Sequence, residues 1–98
     1  GADSVNGNNG EDFIVGGKGA DSLKGENGKD HLIGNEDADT LDGGNSDDLL
    51  EGGDAADSLR GGNGNDTLLG DSGIDSANGN NGTDTCEAES RTSCEIIL

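Results

Sequence analysis

The sequence predicts an all-β solenoid, a chain wound in short equal coils of turns and brief strands. Three observations predict it. Glycine stands at positions 7, 16, 25, 34, 43, 52, 61, 70 and 79, an unbroken spacing of nine. Aspartate follows each glycine by five residues, at Asp12, Asp21, Asp30, Asp39, Asp48, Asp57, Asp66, Asp75 and Asp84, with Asp3 one period earlier. Two residues beyond each aspartate stands Val5, Ile14, Leu23, Leu32, Leu41, Leu50, Leu59, Leu68, Ala77 or Cys86. Columns held in register from Gly1 to Glu87 without insertion are a tandem repeat, and such periods signal solenoids.

Each nonapeptide divides into two elements. Its first half is glycine-rich, and glycine permits φ > 0, so the backbone can turn sharply and aim carbonyls inward. Its second half, from the aspartate onward, alternates an inward apolar residue with outward neighbours, the period of a β-strand. Each unit is therefore one loop and one short strand.

The outward strand positions set the length of a coil. One set reads Phe13, Val15, His31, Ile33, Leu49, Glu51, Thr67, Leu69, Thr85 and Glu87. The other reads Ser4, Asn6, Ser22, Lys24, Thr40, Asp42, Ser58, Arg60, Ser76 and Asn78, with no apolar member. A period of nine cannot separate these sets, whereas two units per 18-residue turn does. The third loop position agrees: Asn9, Asn27, Asn45, Asn63 and Asn81 alternate with Lys18, Glu36, Asp54 and Ser72. The loops at 7, 25, 43, 61 and 79 thus form one edge, and those at 16, 34, 52 and 70 the other. About five turns follow.

The clearest copies are Gly16-Gly17-Lys18-Gly19-Ala20-Asp21-Ser22-Leu23-Lys24 and Gly61-Gly62-Asn63-Gly64-Asn65-Asp66-Thr67-Leu68-Leu69, both G-G-x-G-x-D-x-U-x with U aliphatic. Over residues 1–87 the sequence resembles the RTX (repeats-in-toxin), haemolysin-type calcium-binding nonapeptides. The resemblance implies a right-handed parallel β-roll with Ca²⁺ between loops 18 residues apart. It implies that the first loop contributes the carbonyls of its first and third residues and its Asp. The later loop contributes the carbonyls of its second and fourth residues and its Asp.

Carried onto this chain, the first edge holds four sites. They are Gly7, Asn9 and Asp12 with Glu26, Gly28 and Asp30; Gly25, Asn27 and Asp30 with Gly44, Ser46 and Asp48; Gly43, Asn45 and Asp48 with Gly62, Gly64 and Asp66; and Gly61, Asn63 and Asp66 with Asn80, Gly82 and Asp84. The other edge holds three. They are Gly16, Lys18 and Asp21 with Asn35, Asp37 and Asp39; Gly34, Glu36 and Asp39 with Gly53, Ala55 and Asp57; and Gly52, Asp54 and Asp57 with Asp71, Gly73 and Asp75. An eighth, partial site joins Asp3 to Gly17, Gly19 and Asp21. Calcium chemistry fits independently, since this hard cation takes 6–8 oxygens from carboxylates and carbonyls alike.

Composition demands such an agent. The 98 residues include 20 Gly, one aromatic residue and only 27% hydrophobic residues, with a net charge of −17. Taken alone, these values describe a disordered chain. One aliphatic side chain per nonapeptide cannot offset the entropy of ordering the whole repeat. Seven Ca²⁺ carry +14, which nearly cancels the −17. Five Lys and Arg against 22 Asp and Glu argue against nucleic acid and anionic membranes. No run is long and apolar enough for a membrane-spanning helix.

Some positions depart from the pattern. The fourth loop residue is Asp37, Ser46 and Ala55 in three consecutive middle repeats, so the loop at Gly52 is expected to bind most weakly if φ > 0 is needed there. Variation at the second position is expected to be harmless if only its carbonyl is used. The asparagine row is read as tolerance of turn backbone.

The repeat stops at Glu87, and 88–98 is read as a capping tail. Cys86 holds an inward position, and a Cys86–Cys94 disulfide would fold the tail over the open end. The cysteine pair also suggests an oxidising, extracellular compartment, two free thiols being the rival reading. The start at Gly1 without Met reads as a mature product or a fragment. An open first coil would then meet upstream sequence or a second subunit.

No catalytic constellation is expected. His31 lies alone on an outer face, and the strict aspartate spacing is explained by ligation. Phe13, Val15, Ile33, Leu49 and Leu69 form a candidate interaction face for self-association or a neighbouring domain, with ordinary strand-forming propensity as the alternative. Two roles remain open: a structural subunit of a filament, matrix or adhesin, or a calcium-triggered folding and secretion module of a larger toxin or hydrolase.

Overall fold

The computed structural model describes residues 2–71, 73 and 75–87, together with the backbone of 90–92 and 96–97. Its twelve strands are β1 Ser4–Asn6, β2 Phe13–Gly17, β3 Ser22–Glu26, β4 His31–Asn35, β5 Thr40–Gly44, β6 Leu49–Gly53, β7 Ser58–Gly62, β8 Thr67–Asp71, β9 Ser76–Asn78, β10 Thr85–Glu87, β11 Ser90–Thr92 and β12 Ile96–Ile97. They form two six-stranded parallel sheets. One runs β1-β3-β5-β7-β9-β11, and the other β12-β10-β8-β6-β4-β2. The chain is a parallel β-solenoid of about five turns.

Register confirms the 18-residue coil. Leu23 pairs with Leu41, Leu41 with Leu59, Leu32 with Leu50 and Leu50 with Leu68. Identical columns stack because a slip of one residue would turn every leucine to solvent. The core is a single apolar file from each sheet: Leu23, Leu41, Leu59 and Ala77 against Ile14, Leu32, Leu50, Leu68 and Cys86. Burying each leucine contributes about 1.5–3 kcal/mol. Val5 shares the column but is 36% exposed, because β1 ends its sheet and no strand covers its far side. The result is a slab of Cα extents 33 × 30 × 13 Å.

The tail backbone extends both sheets. β11 pairs with β9, Ser90 opposite Ser76, and β12 pairs with β10, Thr85 opposite Ile96. The 18-residue offset ends there, so these last strands close on shorter connections. Cys86 is fully buried at the end of its file. Its expected partner Cys94 lies outside the described residues.

Candidate metal centre

Both loop edges share one backbone signature. The second and fourth residues of every loop have φ > 0: Gly44 and Ser46 at 92° and 73°, Gly53 and Ala55 at 94° and 74°. The fourth position is therefore left-handed throughout, with Asp37 at 72° and Ala55 carrying the Cβ penalty of that backbone. The second position varies in side chain but not in backbone, since Glu26 (72°), Asn35 (77°) and Asp71 (66°) also sit there left-handed. Its carbonyl is also engaged. The Asn45 N–H donates to Glu26 O, and the Asn63 N–H to Gly44 O, which uses one carbonyl lone pair and leaves one.

The first glycine of each loop has a different task from the one expected. It is absent from the positive-φ set. Its side is filled by the aspartate of its own loop: a Cβ on Gly43 would lie 2.5 Å from Asp48 Oδ2. On Gly16 it would lie 2.6 Å from Asp21 Oδ2 and 3.1 Å from Gly34 O. Carboxylate and carbonyl oxygens thus crowd a place where only a hydrogen leaves room.

The aspartate column is buried and linked turn to turn. Asp21, Asp30, Asp39, Asp48, Asp57 and Asp66 are at most 4% exposed. One oxygen of each carboxylate accepts the N–H of the aspartate one turn earlier. Asp12 N–H donates to Asp30 Oδ1 at 2.9 Å, Asp30 to Asp48 at 2.8 Å and Asp48 to Asp66 at 2.7 Å. On the other edge Asp21 donates to Asp39 at 2.7 Å, and Asp39 to Asp57 at 2.8 Å. Sequence reading missed this backbone tie, although the shared 18-residue offset of the aspartates was its signal.

The second oxygen is left over. Oδ2 of Asp12, Asp21, Asp30, Asp39, Asp48, Asp57 and Asp66 is buried without a hydrogen-bond partner. A buried orphaned carboxylate oxygen is costly unless a cation or a proton meets it. Proton affinity rises accordingly. Burial pushes Asp48 up to about 8, Asp66 to about 7 and Asp57 to about 6, and it raises Asp30 and Asp39. The N–H from the preceding turn offsets part of each rise, and aspartates one turn away add to it.

Among the described residues, no three Asp, Glu, His or Cys side chains converge. A cation here must be held by aspartates of adjacent turns together with backbone oxygens. That donor set is all oxygen, which suits a hard divalent cation and not a soft metal. The residues present therefore fit calcium.

Other expected residues fall elsewhere. The asparagine row is not left-handed. Instead its exposed amides form a ladder, in which Asn27, Asn45, Asn63 and Asn81 each donate Nδ2–H to Oδ1 of the asparagine one turn earlier, at 2.8, 2.7, 3.0 and 2.9 Å. Turn tolerance is thus the wrong reason for that row. His31 is an outer-face residue, as expected, but its ring stacks on Phe13 at 4.9 Å and pairs with Glu51. On that face Phe13 (68%) and Val15 (49%) are exposed, while Ile33, Leu49 and Leu69 are half-buried.

Comparison with known families supplies the remaining finding. The RTX calcium-binding nonapeptide repeat (4 copies) matches residues 1–23, 6–41, 24–59, 42–77 and 60–90. No curated protein and no solved structure gives a significant match. With its aspartate columns in that register, the chain belongs to the RTX calcium-binding nonapeptide repeat family.

Proposed function

We propose that this chain is an extracellular structural module that folds as its aspartate columns take up calcium between adjacent turns. The observation that carries the reading is the file of buried Oδ2 atoms lacking any hydrogen-bond partner. Asp12 with Asp30, Asp30 with Asp48, Asp48 with Asp66 and Asp66 with Asp84 bracket the sites of one edge. Asp21 with Asp39, Asp39 with Asp57 and Asp57 with Asp75 bracket the other. First- to fourth-position loop carbonyls complete each set, in the order given by the family resemblance. Seven sites, with a partial eighth at Asp3, follow from the repeat count. Calcium supplies the positive charge that permits adjacent carboxylates to stay ionised inside the fold.

The cysteines support an oxidising location. Cys86 is buried at the end of its file, and the sequence has one other cysteine, Cys94. We assign them to a disulfide holding the segment 88–98 over the end of the roll 1–87. The exposed Phe13 and Val15 support a contact with a second copy or an adjoining domain, as in a filament, matrix or adhesin. A folding and secretion module of a larger toxin or hydrolase uses the same sites.

Far-UV circular dichroism of metal-stripped, oxidised protein tests the reading. Added Ca²⁺ is expected to produce a cooperative coil-to-β transition that Mg²⁺ at the same concentration does not. A β signal that is complete without metal and unmoved by calcium would sink it.

A further inference from the structure

The two loop edges carry the same backbone and the same aspartate column, but they are not held together equally. The edge of loops 7, 25, 43, 61 and 79 has side-chain bonds between all its turns. The amides of Asn9, Asn27, Asn45, Asn63 and Asn81 form the unbroken ladder described above, with each rung at the spacing of adjacent strands. At its fifth loop position, Asp47 Oδ1 accepts the Asn65 N–H at 2.6 Å, and Asn65 Oδ1 accepts the Thr83 N–H at 2.8 Å.

Among the described residues, the opposite edge has no such amide ladder. Its third positions among the described residues are Lys18, Glu36 and Asp54, so the latter two stack like charges on adjacent turns. Like charges placed opposite one another in neighbouring strands destabilise the pairing. Its fifth positions among the described residues are Ala20, Ala38 and Ala56, whose side chains cannot hydrogen-bond. Beyond the aspartate column that both edges share, one side-chain tie joins its turns among the described residues, from the Gly19 N–H to Asp37 Oδ2 at 2.8 Å. It also contains Ala55, the one alanine in left-handed backbone among the described residues.

Charge does not reverse the ranking. The second edge has Glu36, Asp37, Asp54 and Asp71 against Lys18, while the first has Glu11, Glu26 and Asp47 against Lys29. One extra exposed acid is weak beside an unbroken ladder, because exposed charges are screened by water and salt.

Resting on the calcium reading above, we propose that the sites form two classes. The four between turns of the asparagine edge bind tightly, and the three on the opposite edge bind weakly and respond first when calcium falls. The ladder adds turn-to-turn bonds that hold these loops at the ligating separation once the turns stack, so binding there costs less ordering. On the alanine edge the cation must itself draw together loops that repel. The chain would then retain four of its seven calcium ions as a stapled roll while the other edge opens.

Native mass spectrometry of the full oxidised chain, with free Ca²⁺ lowered by a chelator, counts the ions retained. A four-ion species is expected to persist about tenfold below the free calcium at which three ions leave, the ratio that a few modest hydrogen bonds produce. Residue-resolved NMR of the same titration locates the classes without any variant. The amide signals of Gly19 and Gly53 should shift before those of Gly28, Gly64 and Gly82. Asn45→Ala with Asn63→Ala removes rungs while keeping every backbone carbonyl, and it should bring the two classes together. Loss of all ions in one step, or earlier opening of the asparagine edge, overturns the proposal but leaves calcium binding standing. Absence of any bound calcium overturns both.

Discussion

Single residues show why a nine-residue pattern tolerates change at some positions and not at others. Ala55 is held at φ 74°, where an L side chain costs roughly 1–2 kcal/mol. Ala55→Gly removes that strain but adds unfolded-chain entropy of about 0.4–1 kcal/mol. A net gain of about 0.5–1 kcal/mol is expected, seen as a higher melting temperature in saturating calcium. Gly43→Ala should act in the opposite sense. Its new Cβ would meet Asp48 Oδ2 at 2.5 Å and displace the carboxylate proposed to serve two neighbouring sites. The free calcium needed for half-folding should rise at least tenfold, read by circular dichroism. Gly17→Ala is a useful comparison, because nothing lies within 4 Å of its Cβ position and only its φ of 89° is strained. Its effect should be the smaller of the two.

Along each aspartate column, the dominant feature is one stacked, buried carboxylate per turn. The metal-free fold raises these pKa values, with Asp57 at about 6, Asp66 at about 7 and Asp48 at about 8. The folded chain therefore binds more protons than the unfolded chain across the range from about 4 to about 8. The linkage sign follows directly. Without metal, stability is greatest below the unfolded value and declines as pH rises through the raised folded values. Metal-stripped protein should gain β structure on acidification from pH 8 to pH 5, checked by circular dichroism in chelator. Calcium binding has the opposite dependence, since each site must release protons to admit the cation. Apparent affinity should fall as pH drops from 8 to 6, with proton release measured by calorimetry in buffers of differing ionisation enthalpy.

For the whole molecule, net charge and compactness oppose each other. A chain of −17 folded to a Cα radius of gyration of 11.6 Å concentrates repulsion that a file of leucines cannot offset. Chelation should expand the chain toward the roughly 30 Å of an unfolded polypeptide of this length, and calcium should restore the compact value. Small-angle X-ray scattering of the oxidised protein, with and without calcium, measures both. A compact particle in chelator at neutral pH would show that hydrogen bonding and packing alone hold the roll.

Much of this design was legible in the residues themselves. A repeat without insertions determines which side chains share a column, so the leucine files, the 18-residue coil and the two unlike outer faces follow from position alone. The aspartate ladder and its oxygen-only chemistry follow as well, since no other residue recurs with the charge that calcium needs. What only the tertiary structure decided lies between turns. It decided that Asp30 commits one oxygen to the Asp12 amide and keeps the other, and that Gly43 is required for the space beside Asp48 and not for its φ. It also decided that the asparagine amides bond one another, and that 90–92 and 96–97 join the sheets off the 18-residue period. These depend on distances between residues that periodicity places on the same line, and a period states the line without stating how closely the atoms meet along it.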